Sequence, residues 1–330
     1  MIYADLRWPA HTGIGNVMSA YLSRRPASLQ LKQLDLATKI GSPLSPIALG
    51  SGLRKTRDAG VFWSPGFVPP LRSPCPSVVT IHDLTHLHFY SRWHKYYYEM
   101  VFKRLLLECS AIVCVSEYTK REFLDWSNID PKKVHVVLNG VHESFFEKHE
   151  PLTYQFKYIL YPGNRRKYKN LPRLFEAYAA SALPKQNVKL MLTGSPSAEL
   201  TLLARKLGIE ASVTYSGFVK DQDMPRLYSG ALMVVFVSLY EGFGLPIVEG
   251  MASGVPVITS NVSGMAEIGE GAAELVDPYS VESIREAIDR VATDEERRLD
   301  LIRKSEIHVR KFDWGRSACR LWEIVGELEN

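Results

Sequence analysis

Ser238-Leu-Tyr-Glu-Gly-Phe-Gly-Leu-Pro-Ile-Val-Glu-Gly-Met-Ala-Ser-Gly-Val-Pro-Val-Ile-Thr259 carries two carboxylates on either side of a glycine-rich turn. The run just before it, Ala231-Leu-Met-Val-Val-Phe-Val237, is short, continuously apolar and rich in β-branched residues. That is the pattern of a strand buried on both faces of a parallel sheet. Gly242 and Gly244 allow close approach of a ligand or positive φ. Pro246 suits the first helical position, where its missing N–H costs nothing. The stretch therefore predicts strand, turn and helix in succession. The N–H groups of Gly244, Leu245, Ile247 and Val248 would emerge from the helix N-terminus at the carboxyl end of the strand, a natural seat for a phosphate. Glu241 precedes that helix and Glu249 lies on its first turns. A plain helix start would account for Glu241 by the helix dipole and leave Glu249 solvated, but it has no use for the surrounding glycines and proline.

Working outward, strands and helices alternate along the chain, which predicts α/β architecture with parallel sheets covered by helices on both faces. Candidate strands are Ile2–Ala4, Val78–His82, Ala111–Val115 and Val134–Leu138 in the first half. The second half offers Tyr158–Tyr161, Val188–Leu192, Ser212–Tyr215, Ala231–Val237, Pro256–Ile258 and Glu274–Val276. The 330 residues exceed one ordinary core and predict two domains. The polar stretch Val141–Thr153, which holds Pro151 and lacks a sustained period, is where they should divide. The expected organisation is residues 1–150, residues 151–313, and a closing helical segment 314–330 with apolar Leu321, Ile324, Val325 and Leu328.

Hydrophobic residues make up 46% and charged residues 23% of the chain, ordinary values for a globular protein. There is no run of about 18 apolar residues and no basic stretch leading into an apolar core, so neither a membrane-spanning helix nor a signal peptide is expected and the cytoplasm is the expected compartment. The four cysteines, Cys75, Cys109, Cys114 and Cys319, lack paired metal spacing and read as free thiols. A formal net charge of +4 favours anionic ligands or a membrane face and is too small to argue for nucleic acid.

A second constellation, Tyr161-Pro-Gly-Asn-Arg-Arg-Lys-Tyr-Lys-Asn-Leu171, follows a candidate strand and precedes a helix beginning near Leu171. Cations fixed beside a departing diphosphate would stabilise its growing charge more in the transition state than in the ground state. Lys169, with Arg165 or Arg166, suits that task; a solvated loop with a surface charge run is the plainer reading of the arginines. In the first half, Thr12-Gly-Ile-Gly-Asn16 lies between strand Ile2–Ala4 and a helix expected from about Asn16 to Ser23, so Gly13 and Gly15 can bring backbone N–H groups to a phosphate or an acceptor hydroxyl. So short a Gly-X-Gly lacks the six-position dinucleotide fingerprint, which counts against a nicotinamide or flavin enzyme.

Thr80-Ile-His-Asp-Leu-Thr85 presents His82 and Asp83 at the carboxyl edge of a strand, where open α/β folds place ligands. His86 and His88 follow closely, but loop histidines more often serve packing or hydrogen bonding, so no metal is expected. Ser91 to Leu107 interleaves Trp93, Tyr96, Tyr97, Tyr98 and Phe102 with Arg92, Lys95, Lys103 and Arg104. This segment suits either an anionic membrane surface or a lipid-linked acceptor, or else packs its rings into the first domain.

The segment from Tyr240 to Thr259, with Glu241 and Glu249 bracketing seven residues, resembles the signature of the retaining glycosyltransferase family 4. The resemblance implies the GT-B fold, two doubly wound Rossmann-like domains facing a cleft, with the last helix crossing back to the first domain. It implies that Glu241 faces the donor sugar and Glu249 the ribose hydroxyls, and that the backbone of Gly242, Phe243, Gly244 and Leu245 contacts sugar and diphosphate. It further implies that Lys169 with Arg165 or Arg166 grips the diphosphate, that Gly13 and Gly15 face it from the first domain, and that His82 orients the sugar. Relatives often carry the arginine directly after the glycine, where this chain has Asn164. His82, Glu241, Lys169 and Arg166 are the expected catalytic residues, with Asp83 as an acceptor-side carboxylate.

The activity so implied is sugar transfer from a nucleoside diphosphate donor, with retention, to a hydroxyl of a glycan or lipid-linked glycan, without a cofactor. Similar chains with an Ile-His-Asp-Leu-Thr segment are often mannosyl- or rhamnosyltransferases of bacterial surface polysaccharides such as lipopolysaccharide, which makes a GDP-linked sugar the leading donor; peripheral contact with the inner membrane face is the expectation that the aromatic and basic segment Ser91 to Leu107 adds. A nucleotide-sugar 2-epimerase of the same fold is the alternative, and a catalytically silent sugar-nucleotide sensor a weaker third.

Overall fold

The computed structural model describes residues 1–10, 12–56 and 58–329. Two compact units result: Met1–Gly140 together with Asp313–Asn330, and Val141–Phe312.

The first unit is built on six parallel strands, β1 (Ile2–Ala4), β2 (Leu31–Gln33), β3 (Val61–Ser64), β4 (Ser77–Ile81), β5 (Ala111–Cys114) and β6 (Val134–Val136), in the order β2-β1-β3-β4-β5-β6. Strands β3, β4 and β5 are buried at every position, as helices on both faces require. Helix Trp314–Glu327 completes this unit. Asp313 caps it by accepting from Arg316 N, and Trp322 Nε1 donates to the Tyr21 carbonyl at 3.1 Å. The Trp322 ring meets Trp63 edge to face at 5.1 Å, and Trp314 meets Tyr21 at 5.4 Å. Three indoles and a phenol thus form one buried aromatic joint, whose geometry adds to the gain from burial alone.

The second unit holds β7 (Lys157–Tyr161), β8 (Val188–Leu192), β9 (Val213–Tyr215), β10 (Val234–Phe236), β11 (Val257–Ser260) and β12 (Glu274–Val276) in the order β12-β11-β10-β7-β8-β9, again all parallel. The chain starts at the middle of this sheet, winds outward to β9, then returns to pair β10 with the other side of β7. That reversal is the doubly wound order, and ligands in such sheets bind outside the carboxyl ends of the two central strands.

Two strands, β2 and β3, escape the sequence reading. β2 is a three-residue edge with two exposed positions, and β3 packs four residues between Gly60 and Pro65, so neither displays a legible run. The apolar run Ala231–Val237 yields a shorter strand than expected, because Ala231 N closes a turn onto the Tyr228 carbonyl before β10 begins. The helix expected from Asn16 starts at Gly13, capped by the Thr12 hydroxyl.

Candidate active site

The carboxyl ends of β7 and β10 carry the two constellations. After β10 the chain turns through Glu241 to Gly244 and enters helix Leu245–Ala252. Gly244, at φ +101°, forms the N-cap; a side chain there would be strained in backbone and would press on Ile247. Pro246 stands in the first turn, as Leu245 opens the helix. Ile247 does not offer its N–H outward as expected: it donates to the Gly244 carbonyl at 2.9 Å. Phe243 is buried edge to face on Phe312 at 5.6 Å, so its ring is committed to packing.

A clamp the sequence does not advertise fixes this turn. Glu241 N donates to Ser263 Oγ at 3.1 Å, and Gly264 N donates to the Glu241 carbonyl at 2.9 Å. Ser263 takes a left-handed conformation at φ +55°, and Gly264 must lack a Cβ, since one would lie 2.3 Å from the Gly242 carbonyl oxygen. Both residues follow β11, and the Val262-Ser-Gly264 turn reads in sequence as an ordinary helix start.

After β7, the loop Tyr161–Asn170 leads into helix Leu171–Ala180. Asn170 sits in the left-handed region at φ +60° and is 2% exposed; its amide donates to the carbonyls of Val237 at 3.0 Å and Pro278 at 2.7 Å. It ties the β7 loop to the end of β10 and to the segment beyond β12, and so presents Lys169. The Lys169 ammonium is 2.5 Å from Glu241 Oε1 and lies over the Phe236 ring at 4.8 Å. Lysine and glutamate side chains are 9% and 12% exposed, so the pair is nearly desolvated. An aromatic face below and a carboxylate beside it hold the Lys169 head group in place.

The two arginines separate. Arg165 is half-buried, stacked over Tyr215 at 5.2 Å, and donates to the Thr193 carbonyl at 3.3 Å. Arg166 is exposed, and its backbone N donates to Asn164 Oδ1 at 3.2 Å. Arg165 is therefore the guanidinium held by its neighbours, and Arg166 the more exposed of the two.

Glu249 occupies the second turn of its helix. Tyr228, fully buried on helix Met224–Ser229, donates its phenol to Glu249 Oε2 at 2.5 Å. Burial raises the Glu249 carboxyl to about 7; the Tyr228 hydrogen bond lowers it and the charge of Asp221 adds to the rise. Burial, then the Glu249 charge, pushes the Tyr228 phenol well above its ordinary value, so it stays the donor. Sequence reasoning did not select Tyr228; a tyrosine amid Leu227 and Ser229 carries no signal of a carboxylate partner.

In the first unit, His82 falls one residue past β4, half-buried, with Nε2 2.7 Å from the Pro65 carbonyl. A carbonyl only accepts, so Nε2 carries the proton; burial lowers the imidazole's pKa, which leaves Nδ1 an acceptor at neutral pH. Asp83 accepts from the N and Oγ1 of Thr85, a local turn. His86 is buried and stacked on Tyr98 at 3.5 Å, while His88 pairs with Glu122 at 2.7 Å. The histidines are thus drawn to different partners, and among the described residues no group of three or more metal-ligating side chains converges. Gly13 and Gly15 lie in the first turn of their helix, and Gly15 N–H is engaged by Thr12 Oγ1 at 3.0 Å. Of the aromatic stripe, Tyr98 and Phe102 enter the core, whereas Trp93 and Tyr96 are 82% and 61% exposed.

Comparison with known proteins places these units. Solved structures share the fold over nearly the whole chain: WaaG, a glycosyltransferase involved in lipopolysaccharide biosynthesis, aligns with a TM-score of 0.77 at 16% identity, covering 98% of this chain and 99% of that one. Anabaena HepE in complex with UDP and glucose aligns at 0.77 and 17% identity, covering 99% of each. The fold is GT-B, with two doubly wound Rossmann-like domains. Among sequence relatives, the O-antigen chain mannosyltransferase B of Escherichia coli is 27% identical over 311 residues, 89% of this chain and 79% of that protein. The O-antigen chain mannosyltransferase RfbU of Salmonella typhimurium is 26% identical over 249 residues, 75% of this chain and 67% of that protein. The glycosyltransferase family 4 domain matches residues 55–145. The domain of the glycosyl transferases group 1 matches residues 143–308, just over half of the chain and nearly all of its second unit, and the chain belongs to that family of glycosyltransferases.

Proposed function

We propose that this glycosyltransferase moves a hexose or deoxyhexose from a nucleoside diphosphate donor to a hydroxyl of a growing surface glycan, with retention at the anomeric carbon and no cofactor or metal. The observation that carries the reading is the convergence, at the β7 and β10 strand ends, of a desolvated Lys169–Glu241 pair, a left-handed glycine opening a helix, and Glu249 one turn further on. A departing diphosphate needs cation and N–H donors fixed in advance, and a sugar and a ribose need carboxylates that accept from hydroxyls. In this reading Lys169 takes up charge on the diphosphate, helped by Arg165 once its contact with Thr193 yields; Arg166 is the weaker choice. Glu241 holds the donor sugar and Glu249 the ribose, while His82, in the first unit, offers Nδ1 as an acceptor to a hydroxyl. The acceptor attacks from the leaving-group side. Mannosyltransferases among the relatives support mannose; a rhamnose-type sugar and GDP as the carrier rest on the sequence resemblance, and the neighbour holding UDP keeps uridine diphosphate in play.

Exposed Trp93 and Tyr96, beside exposed Arg92 and Lys95, support peripheral contact of the first unit with an anionic membrane where a lipid-linked acceptor would reside. The Tyr97 phenol donates to the Pro43 carbonyl, which brings exposed Leu44 alongside.

Calorimetry with GDP, UDP, dTDP and NAD tests the reading: binding of one sugar-type diphosphate is expected, and binding of NAD alone, or of none, overturns it. Product analysis of the matching nucleotide sugar with and without an acceptor glycan then separates transfer from 2-epimerisation, which would release an altered nucleotide sugar with no acceptor present.

A further inference from the structure

We propose that Tyr228 is a positioning residue for nucleotide binding, holding the Glu249 carboxylate in the orientation that leaves Oε1 to accept from the ribose hydroxyls. The inference rests on the assignment of Glu249 to the ribose made above.

Glu249 stands on helix Leu245–Ala252 and Tyr228 on helix Met224–Ser229, whose last residue leads into the turn before β10. The phenol reaches Oε2 at 2.5 Å, and among the described residues no second donor reaches this carboxylate. A glutamate has three side-chain torsions, so without that bond the carboxylate is free to rotate within its pocket. The tyrosine is itself immobilised. It is fully buried, its ring stands edge to face on Phe145 at 5.4 Å and 89°, and its backbone carbonyl accepts from Ala231 N at 2.9 Å. A ring this fixed serves as a rigid peg for a flexible acid. The charged and titratable groups acting on Glu249 are Tyr228 and Asp221: the first favours the carboxylate and the second disfavours it. Tyr228 therefore has two effects, one on orientation and one on the ionised fraction, and both act on hydroxyl recognition.

Tyr228→Phe keeps the ring and its packing and removes only the hydroxyl, so the fold is retained, as circular dichroism would verify. The experiment is calorimetry of the variant, of Glu249→Ala and of the wild-type chain across pH 6 to 9, using whichever of GDP or UDP the wild type binds more tightly and its 2′,3′-dideoxy analogue. Loss of a hydrogen bond to a charged group predicts roughly tenfold weaker binding of the ribonucleotide at neutral pH. The affinity midpoint moves to higher pH, because the carboxylate has lost a bond that favoured its charge, and the dideoxy analogue is insensitive to the substitution. If Glu249→Ala weakens ribonucleotide binding while Tyr228→Phe matches the wild type at every pH, the positioning role is overturned and the ribose assignment stands. If Glu249→Ala binds like the wild type, the ribose assignment falls and this inference falls with it.

Discussion

Lys169 and Glu241, 72 positions apart in sequence, meet at 2.5 Å with both side chains almost wholly shielded from water. They neutralise one another, which lets the fold carry a cation at so shielded a position. Removing one partner strands the other in a low-dielectric pocket. Glu241→Gln and Lys169→Met should each cost on the order of 1–3 kcal/mol, less than a fully enclosed pair because the site opens to ligand. The double variant should cost less than the sum of the two. Urea denaturation of the four proteins checks the coupling, and strict additivity would show that the pair contributes nothing.

The same variants should lose transfer activity at least a hundredfold, chiefly in kcat for Lys169→Met, since its charge matches the departing diphosphate better than the bound donor. Steady-state kinetics on folded protein decides this. Full activity in either variant would remove that residue from the chemistry.

Stability should vary with pH through Glu249. Its folded carboxyl lies at about 7 against an unfolded value of 4.5, so the native state binds the proton more tightly. Between those values the native chain holds more protons than the unfolded one, and stability falls as pH rises from 4.5 through 7. The loss is of order 3 kcal/mol at about 1.4 kcal/mol per unit. Glu249→Gln should therefore raise Tm at pH 8 relative to the wild type and leave it nearly unchanged at pH 5. Thermal unfolding at the two pH values measures the difference, and equal shifts at both would contradict it.

Gly264→Ala should weaken nucleotide binding without unfolding the chain. A Cβ would lie 2.3 Å from the Gly242 carbonyl oxygen, so the turn, to which the proposed function assigns a backbone contact with the ligand, must shift. Asn170→Ala should act on stability instead. It strips two buried carbonyls of their donor and forces alanine into the left-handed region, costing roughly 2–4 kcal/mol, with Asn170→Gly recovering only the backbone share. Nucleotide titration and chemical denaturation give opposite rankings for the two positions if these assignments hold.

Vesicle co-sedimentation tests the exposed aromatic segment. The chain should pellet with vesicles rich in anionic lipid, less so as salt rises, and a Trp93→Ser, Tyr96→Ser double variant should remain in the supernatant with its transfer to soluble acceptors intact. Equal pelleting of that variant would dismiss the contact.

Much of this fold was legible because buried parallel strands expose their apolar runs directly, as at Ile2–Ala4 and Val188–Leu192, where sequence and structure agree to the residue. Edge strand β2 was illegible since a three-residue strand with mostly wet side chains has no pattern to show. In the site, residues whose chemistry is carried by type and spacing, such as Lys169 and Glu241, stood out. Those acting through long-range geometry did not. Ser263 and Gly264 clamp a turn some 22 positions earlier, and Tyr228 meets its carboxylate across 21 residues. No local pattern encodes such pairings, because the sheet order alone creates them.

The discontinuity of the first unit bears on how the chain is made. Tyr21 and Trp63 leave the ribosome before the second unit, but the indoles of Trp314 and Trp322 that cover them belong to helix Trp314–Glu327, which follows it. Everything from Val141 to Phe312 is synthesised in between. Birth order and completion order are therefore inverted: the second unit has its whole sequence available first, while the first waits with an aromatic surface uncovered until Trp314–Glu327 emerges. Proteolysis of nascent chains stalled before Trp314 should find the second unit resistant and the first still open.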